Sequence, residues 1–128
     1  MTRLLMAASA VLMAVAGVAG SFLPHELLRA LGIPPSGVLP VMVQLTAALY
    51  LGFAMLNWTA RDSLIGGIYN RPVAIGNLLH FVSGALALLK YATSTRPPVP
   101  VIAMTVVYTA FAIAFGLVLF TSPVKRQT

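Results

Sequence analysis

The stretch 72–91, PVAIGNLLHFVSGALALLKY, decides the fold. It opens on a proline, carries no acidic residue and meets its first basic one at Lys90. A helix crossing the hydrocarbon of a bilayer needs about 20 predominantly apolar residues, and this run supplies them. Pro72 fits a helix start, where the first N–H groups have no partner within the helix to lose. Three further runs have the same character, at about 4–23, 38–58 and 99–120, and the last two also begin close to prolines, Pro40 and Pro100. The strands of a spanning β-barrel are about half this long and alternate in polarity, as these runs do not. The chain is therefore expected to be all-α: one integral membrane domain over residues 1–128, a transmembrane antiparallel four-helix bundle. Short connections make consecutive helices neighbours.

Composition agrees. Of 128 residues, 59% are hydrophobic and 8% charged, against about 25% charged in a soluble domain. No length is left for a separate soluble domain. The absence of Cys excludes disulfide exchange, thiolate metal ligands and a catalytic thiol. Glu26 and Asp62 are the only acids and both lie outside the apolar runs. That excludes a paired-carboxylate hydrolase and disfavours a proton-coupled exporter built on an intramembrane acid. Haem between two histidines does not fit either, with His25 in a connection and His80 at mid-span. Gly66-Gly67 lacks the Lys-Ser or Lys-Thr of a phosphate loop. The net charge of +6 comes from basic residues scattered at helix ends. That suits anionic lipid headgroups and gives no stripe for nucleic acid.

The first run has a rival reading as a signal peptide, since Arg3 precedes it and Val18-Ala19-Gly20 before Ser21 offers small residues for cleavage. A signal core runs to about 7–15 apolar residues, so the longer segment is read as a retained span. After it, Pro24-His25-Glu26-Leu27-Leu28-Arg29-Ala30-Leu31 puts leucines on one face and polar residues on the other, the pattern of a short interfacial helix. Residues 32–37 form a Pro/Gly turn. The connection from Thr59 to Arg71 is flanked by Trp58 and Tyr69 at headgroup depth. Basic residues set orientation: Arg3, Arg61, Arg71, Lys125 and Arg126 lie on one side, Arg29, Lys90 and Arg96 on the other. The excess places both termini in the cytoplasm. Pro34-Pro35 before Leu39-Pro40 is echoed by Pro97-Pro98 before Val99-Pro100, which reads either as a duplicated hairpin or as two helices each begun by proline.

Polar groups at membrane depth are the natural site candidates. His80 lies near mid-span, and the 1.5 Å rise per residue brings Tyr50 and Tyr108 to within about 5 Å of its depth. Asn57 shares a face with Tyr50, and Asn77 stands one turn from His80. These five form a candidate ligand site, with Arg61, Asn70 and Arg71 above them as candidate contacts for a headgroup or anion. Ahead of this stands the reading of His80 as a neutral, hydrogen-bonded histidine that fixes helix register, and a third reading turns it into an oligomer interface. Gly76, Asn77, His80, Ser83, Gly84 and Ala87 form a small, polar stripe expected to face protein. Met13, Ala16, Gly17 and Gly20 form a second small-residue face. No metal site and no catalytic constellation is present, and no cofactor is named by the residues.

The stretch Gly52-Phe53-Ala54-Met55-Leu56-Asn57-Trp58, continuing through Ile65-Gly66-Gly67-Ile68-Tyr69-Asn70-Arg71-Pro72 to Gly76-Asn77 and His80-Phe81, resembles small bacterial four-helix integral membrane proteins. More loosely, it is similar to DoxX-like membrane proteins. The resemblance implies a multi-pass bundle in a bacterial inner membrane with an association with quinone chemistry. Three functions follow in order. The first is a non-enzymatic accessory subunit or scaffold, as a homo-oligomer or within a larger membrane complex. The second is a binding protein or pore for a quinone, lipid or small solute around His80. The third, an enzyme acting on a lipid, has no evident nucleophile.

Overall fold

A computed structural model describes residues 2–62 and 71–121. Gly66, Gly67, Tyr69 and Asn70 of the second connection, and Lys125 and Arg126 of the carboxy-terminal tail, lie outside them. Among the described residues five helices follow in order: α1 (Thr2–Phe22), α2 (Pro24–Ala30), α3 (Leu39–Ala60), α4 (Arg71–Ser94) and α5 (Val99–Thr121). Four are long and apolar enough to cross a membrane. The architecture is the expected all-α one. The helices run a few residues past the apolar windows, α4 reaching Ser94 instead of Tyr91. Thr93, Ser94 and Thr95 bond back to carbonyls of the last turn and prolong it into the polar zone.

The short helix α2 ends by a mechanism visible in its sequence. Gly32 adopts φ +74°, its N–H bonds to Arg29 O, and Ile33 N–H bonds to Leu28 O. This left-handed closure favours glycine and satisfies carbonyls that the helix leaves open. Leu28 is buried beneath it. Pro40 sits in the first turn of α3, as expected.

α1 lies antiparallel along α3. Arg3 reaches Asp62 at one end, and Gln44 donates to the Ser21 carbonyl at the other. Between them, Gly17 and Gly20 permit close approach. A methyl on Gly17 would stand 2.7 Å from Leu51 Cγ and 3.0 Å from the Ala47 carbonyl, and one on Gly20 2.7 Å from Ala47 Cβ. Helices in lipid gain no hydrophobic drive from meeting, so such backbone approach is a main source of attraction. This glycine face is therefore used inside the chain and not turned toward an outside partner.

α4 and α5 form the second hairpin around Phe81, Phe111 and Phe115. Phe81 stacks on Phe111 at 4.8 Å and on Phe115 at 5.6 Å between ring centroids, and Phe81 and Phe115 are fully buried. The buried stripe of α4 is Ala74, Asn77, Phe81 and Ala85. This corrects the expected small-residue face. Asn77 and Gly84 do meet protein, but Ser83 and Ala87 are exposed, because the bulk of Phe81 sets which side of α4 turns to α5.

Candidate functional site: the polar seam between the hairpins

The two hairpins meet along a seam with two levels of polar contacts, below a charged cluster that joins α1 to the end of α3 within the first hairpin. At the end bearing the α1 amino terminus and the α3 carboxy terminus, Asp62 accepts from Arg3 at 2.9 Å and lies 3.5 Å from Arg61 Nε. The Arg61 guanidinium stacks 4.0 Å from the Trp58 ring centroid and donates to the Trp58 carbonyl. Arg61 is thus engaged by its own helix end, while Arg71 begins α4 and is exposed.

One level deeper, Asn57 and Asn77 pair reciprocally. Asn57 Nδ2 donates to Asn77 Oδ1 at 2.7 Å, and Asn77 Nδ2 donates to Asn57 Oδ1 at 2.6 Å. The second N–H of Asn57 reaches Ser9 Oγ at 3.0 Å, and that of Asn77 reaches the Val73 carbonyl at 2.9 Å. Ser9 in turn donates to the Met6 carbonyl. All three side chains have 0% exposure. A primary amide has two donors, and both are used in each asparagine, so this level joins α1, α3 and α4 with no free donor left over.

Seven residues along α3 from Asn57, a rise of about 10 Å, lies the aromatic level. The hydroxyls of Tyr50 and Tyr108 are 2.5 Å apart, one donating to the other. His80 Nε2 lies 3.2 Å from the Tyr108 hydroxyl. Tyr108 is the hub and is 6% exposed. Its ring lies over Gly84, where a methyl would stand 2.5 Å from Cε1. The imidazole is surrounded by the rings of Tyr50, Phe53, Phe81 and Tyr108, with centroids 5.1 to 5.5 Å away.

The five residues singled out from the sequence therefore all face the seam, in two layers instead of one chamber. Tyr50, His80 and Tyr108 converge. Asn57 and Asn77 converge separately, with Phe53 placed between the layers along α3. Among the described residues no buried polar side-chain atom lacks a partner, and no cluster of His and acidic residues could hold a metal. Asn70 lies outside the described residues. Sequence reasoning missed Ser9. In an Ala-rich run a single serine looks like a small packing residue, and only its depth, matching Asn57 in an antiparallel partner, marks it. Beside the aromatic level a groove of about 350 Å³ opens between α1 and α5.

These features define a multi-pass α-helical membrane protein with an internally bonded seam. Comparison with protein-family models, with curated proteins and with solved structures finds no match for the chain.

Proposed function

We propose that the chain is a non-enzymatic membrane protein acting as an accessory subunit or scaffold in a membrane assembly. One observation carries the reading: Ser9, Tyr50, Asn57, Asn77, His80 and Tyr108 bond to one another between helices, and the asparagine level spends every amide donor on the fold. Such a seam fixes how two hairpins sit together. The outward face of α4 is mainly apolar, with Ser83 its one polar residue between Ile75 and Leu89. On α4, Ile75, Leu79, Val82, Leu86 and Leu89 are exposed at alternating spacings of four and three, the interval at which a neighbouring helix interdigitates.

The setting we propose is a bacterial inner membrane with both termini cytoplasmic. Its support is the excess of basic residues on the side of Arg3, Arg61 and Arg71, together with the resemblance to small bacterial four-helix and DoxX-like membrane proteins. A reporter enzyme fused after Thr128 should be active only in the cytoplasm; activity only outside overturns the orientation.

Native mass spectrometry of the full chain from a mild detergent tests the subunit reading. A homo-oligomer or a complex with a second protein is the expected result. A lone monomer with nothing co-purifying contradicts it.

A second reading, a small-molecule site centred on His80, is favoured by one feature: a partly buried imidazole walled by aromatic rings and bonded to Tyr108. Under this reading His80→Ala abolishes binding while the folded fraction stays unchanged.

A further inference from the structure

We propose that the groove between α1 and α5 holds one acyl chain of an anionic phospholipid, drawn from the leaflet that borders the α4–α5 connection. The inference requires only that the chain spans a bilayer and is independent of the subunit reading.

Chemistry comes first. The walls are Leu12, Met13 and Ala16 from α1 and Ala103, Met104 and Val107 from α5. None carries a charge or a hydrogen-bonding group. Ala16 and Ala103 give the groove its width, since neither side chain extends beyond Cβ. At its inner end stand Tyr50 and Tyr108, whose hydroxyls are bonded to each other and so offer ring carbon to an occupant. A polar headgroup or solute finds no partner there, and water would forfeit its hydrogen bonds. Hydrocarbon loses nothing.

Length selects which part of a lipid fits. The groove runs from Pro100 at its rim to Tyr108 at its inner end, eight residues of helix or about 12 Å. One leaflet of hydrocarbon is about 15 Å deep, half of a roughly 30 Å core. A chain lying along the groove therefore reaches the tyrosine pair with its terminal methyl while its headgroup stays at the interface beyond Pro100. There the connection into α5 carries Arg96, four residues before Pro100 and exposed. Lys90 and Arg29 lie exposed on the same side, with Glu26 the one acid there among the described residues, so this end is net cationic above an all-carbon wall and favours an anionic phospholipid over a zwitterionic one.

The test uses the full chain in phosphatidylcholine vesicles doped with a phosphatidylglycerol that carries a diazirine at the end of one chain. After illumination, label should concentrate on the groove residues of α1 and α5 and on Tyr108. Ala103→Trp, at an exposed position where the indole fills the groove, should cut that labelling about tenfold while circular dichroism stays unchanged. Phosphatidylcholine with the same diazirine should label the groove less, and Arg96→Gln should reduce the difference. Label spread evenly over the outer faces of all four spans overturns the proposal, and this mapping needs no variant to fold. Equal labelling by the two headgroups, insensitive to Arg96→Gln, overturns the anionic selectivity. Crosslinks showing a second copy of the chain in the groove overturn the lipid as occupant.

Discussion

Asn57 and Asn77 face each other across the two hairpins as a closed amide pair, with Nδ2 to Oδ1 separations of 2.7 and 2.6 Å. Twenty residues separate them in sequence, and the pair has 0% exposure. A buried amide in hydrocarbon is costly unless every donor is met, and here each asparagine supplies what the other lacks. The hairpins are thereby held in one register at this level, with Ser9 tying in the first helix.

Gly17 and Gly52 should respond oppositely to the same change. Gly17→Ala sets a methyl 3.0 Å from the Ala47 carbonyl, a backbone atom that cannot move cheaply. The cost should be about 1–3 kcal/mol, the usual range for overpacking. Gly52 has nothing within 4 Å of such a methyl, so Gly52→Ala should be neutral or stabilise by up to about 1 kcal/mol through helix propensity. Thermal unfolding in detergent followed by circular dichroism checks the pair. Equal effects would mean that α1 and α3 are not in close backbone contact.

Tyr108→Phe should destabilise more than Tyr50→Phe. The Tyr108 hydroxyl meets both Tyr50 and His80, while the Tyr50 hydroxyl meets only Tyr108 among the described residues. Each membrane hydrogen bond is worth about 0.6 kcal/mol on average, so the gap should be near one such bond. Gly84→Ala should act like Tyr108→Phe, because its methyl would displace the Tyr108 ring. Unfolding midpoints that rank Tyr50→Phe below Tyr108→Phe would overturn the hub assignment.

His80→Ala separates the two functional readings. Loss of the ring removes the imidazole from contact with four aromatic neighbours and leaves the Tyr108 hydroxyl one partner short. The scaffold account expects a lower unfolding temperature and an unchanged set of co-purifying molecules. Loss of a bound molecule at full stability would favour the ligand site.

The charged cluster should matter least. Arg3 and Asp62 are mostly exposed, and exposed ion pairs contribute little and are screened by salt. Asp62→Asn should shift the unfolding midpoint less than any change at Asn57 or Asn77, and the shift should fade as salt is raised. A large, salt-insensitive loss would place this pair inside the fold's main constraints.

The bundle was legible because membrane spans announce themselves by length and by missing charge: 72–91 alone calls for a spanning helix. The α2 stop was equally local, written in Gly32. Depth was legible too, since counting residues along straight helices brought Tyr50, His80 and Tyr108 to one level. Rotation was not. Ser83 and Ala87 lie on the same side of α4 as His80 by spacing, yet they point outward, because which stripe faces in depends on where Phe81 finds Phe111 and Phe115. Pairing partners were hidden for the same reason. Nothing local in Asn57 says that its amide closes on Asn77 and reaches back to Ser9, and these bonds join residues 20 and 48 apart in sequence.

The central claim is that the seam's polar residues act as a coupled clamp between hairpins. A double-mutant cycle on Asn57→Ala and Asn77→Ala, measured by reversible unfolding in one detergent or bicelle system, tests it most directly. Each single change should cost about 1–3 kcal/mol, because it strands the partner's buried amide. The double change should cost less than the sum by about 1 kcal/mol, the scale of membrane hydrogen bonds. Strict additivity, with a coupling near zero, would contradict the account.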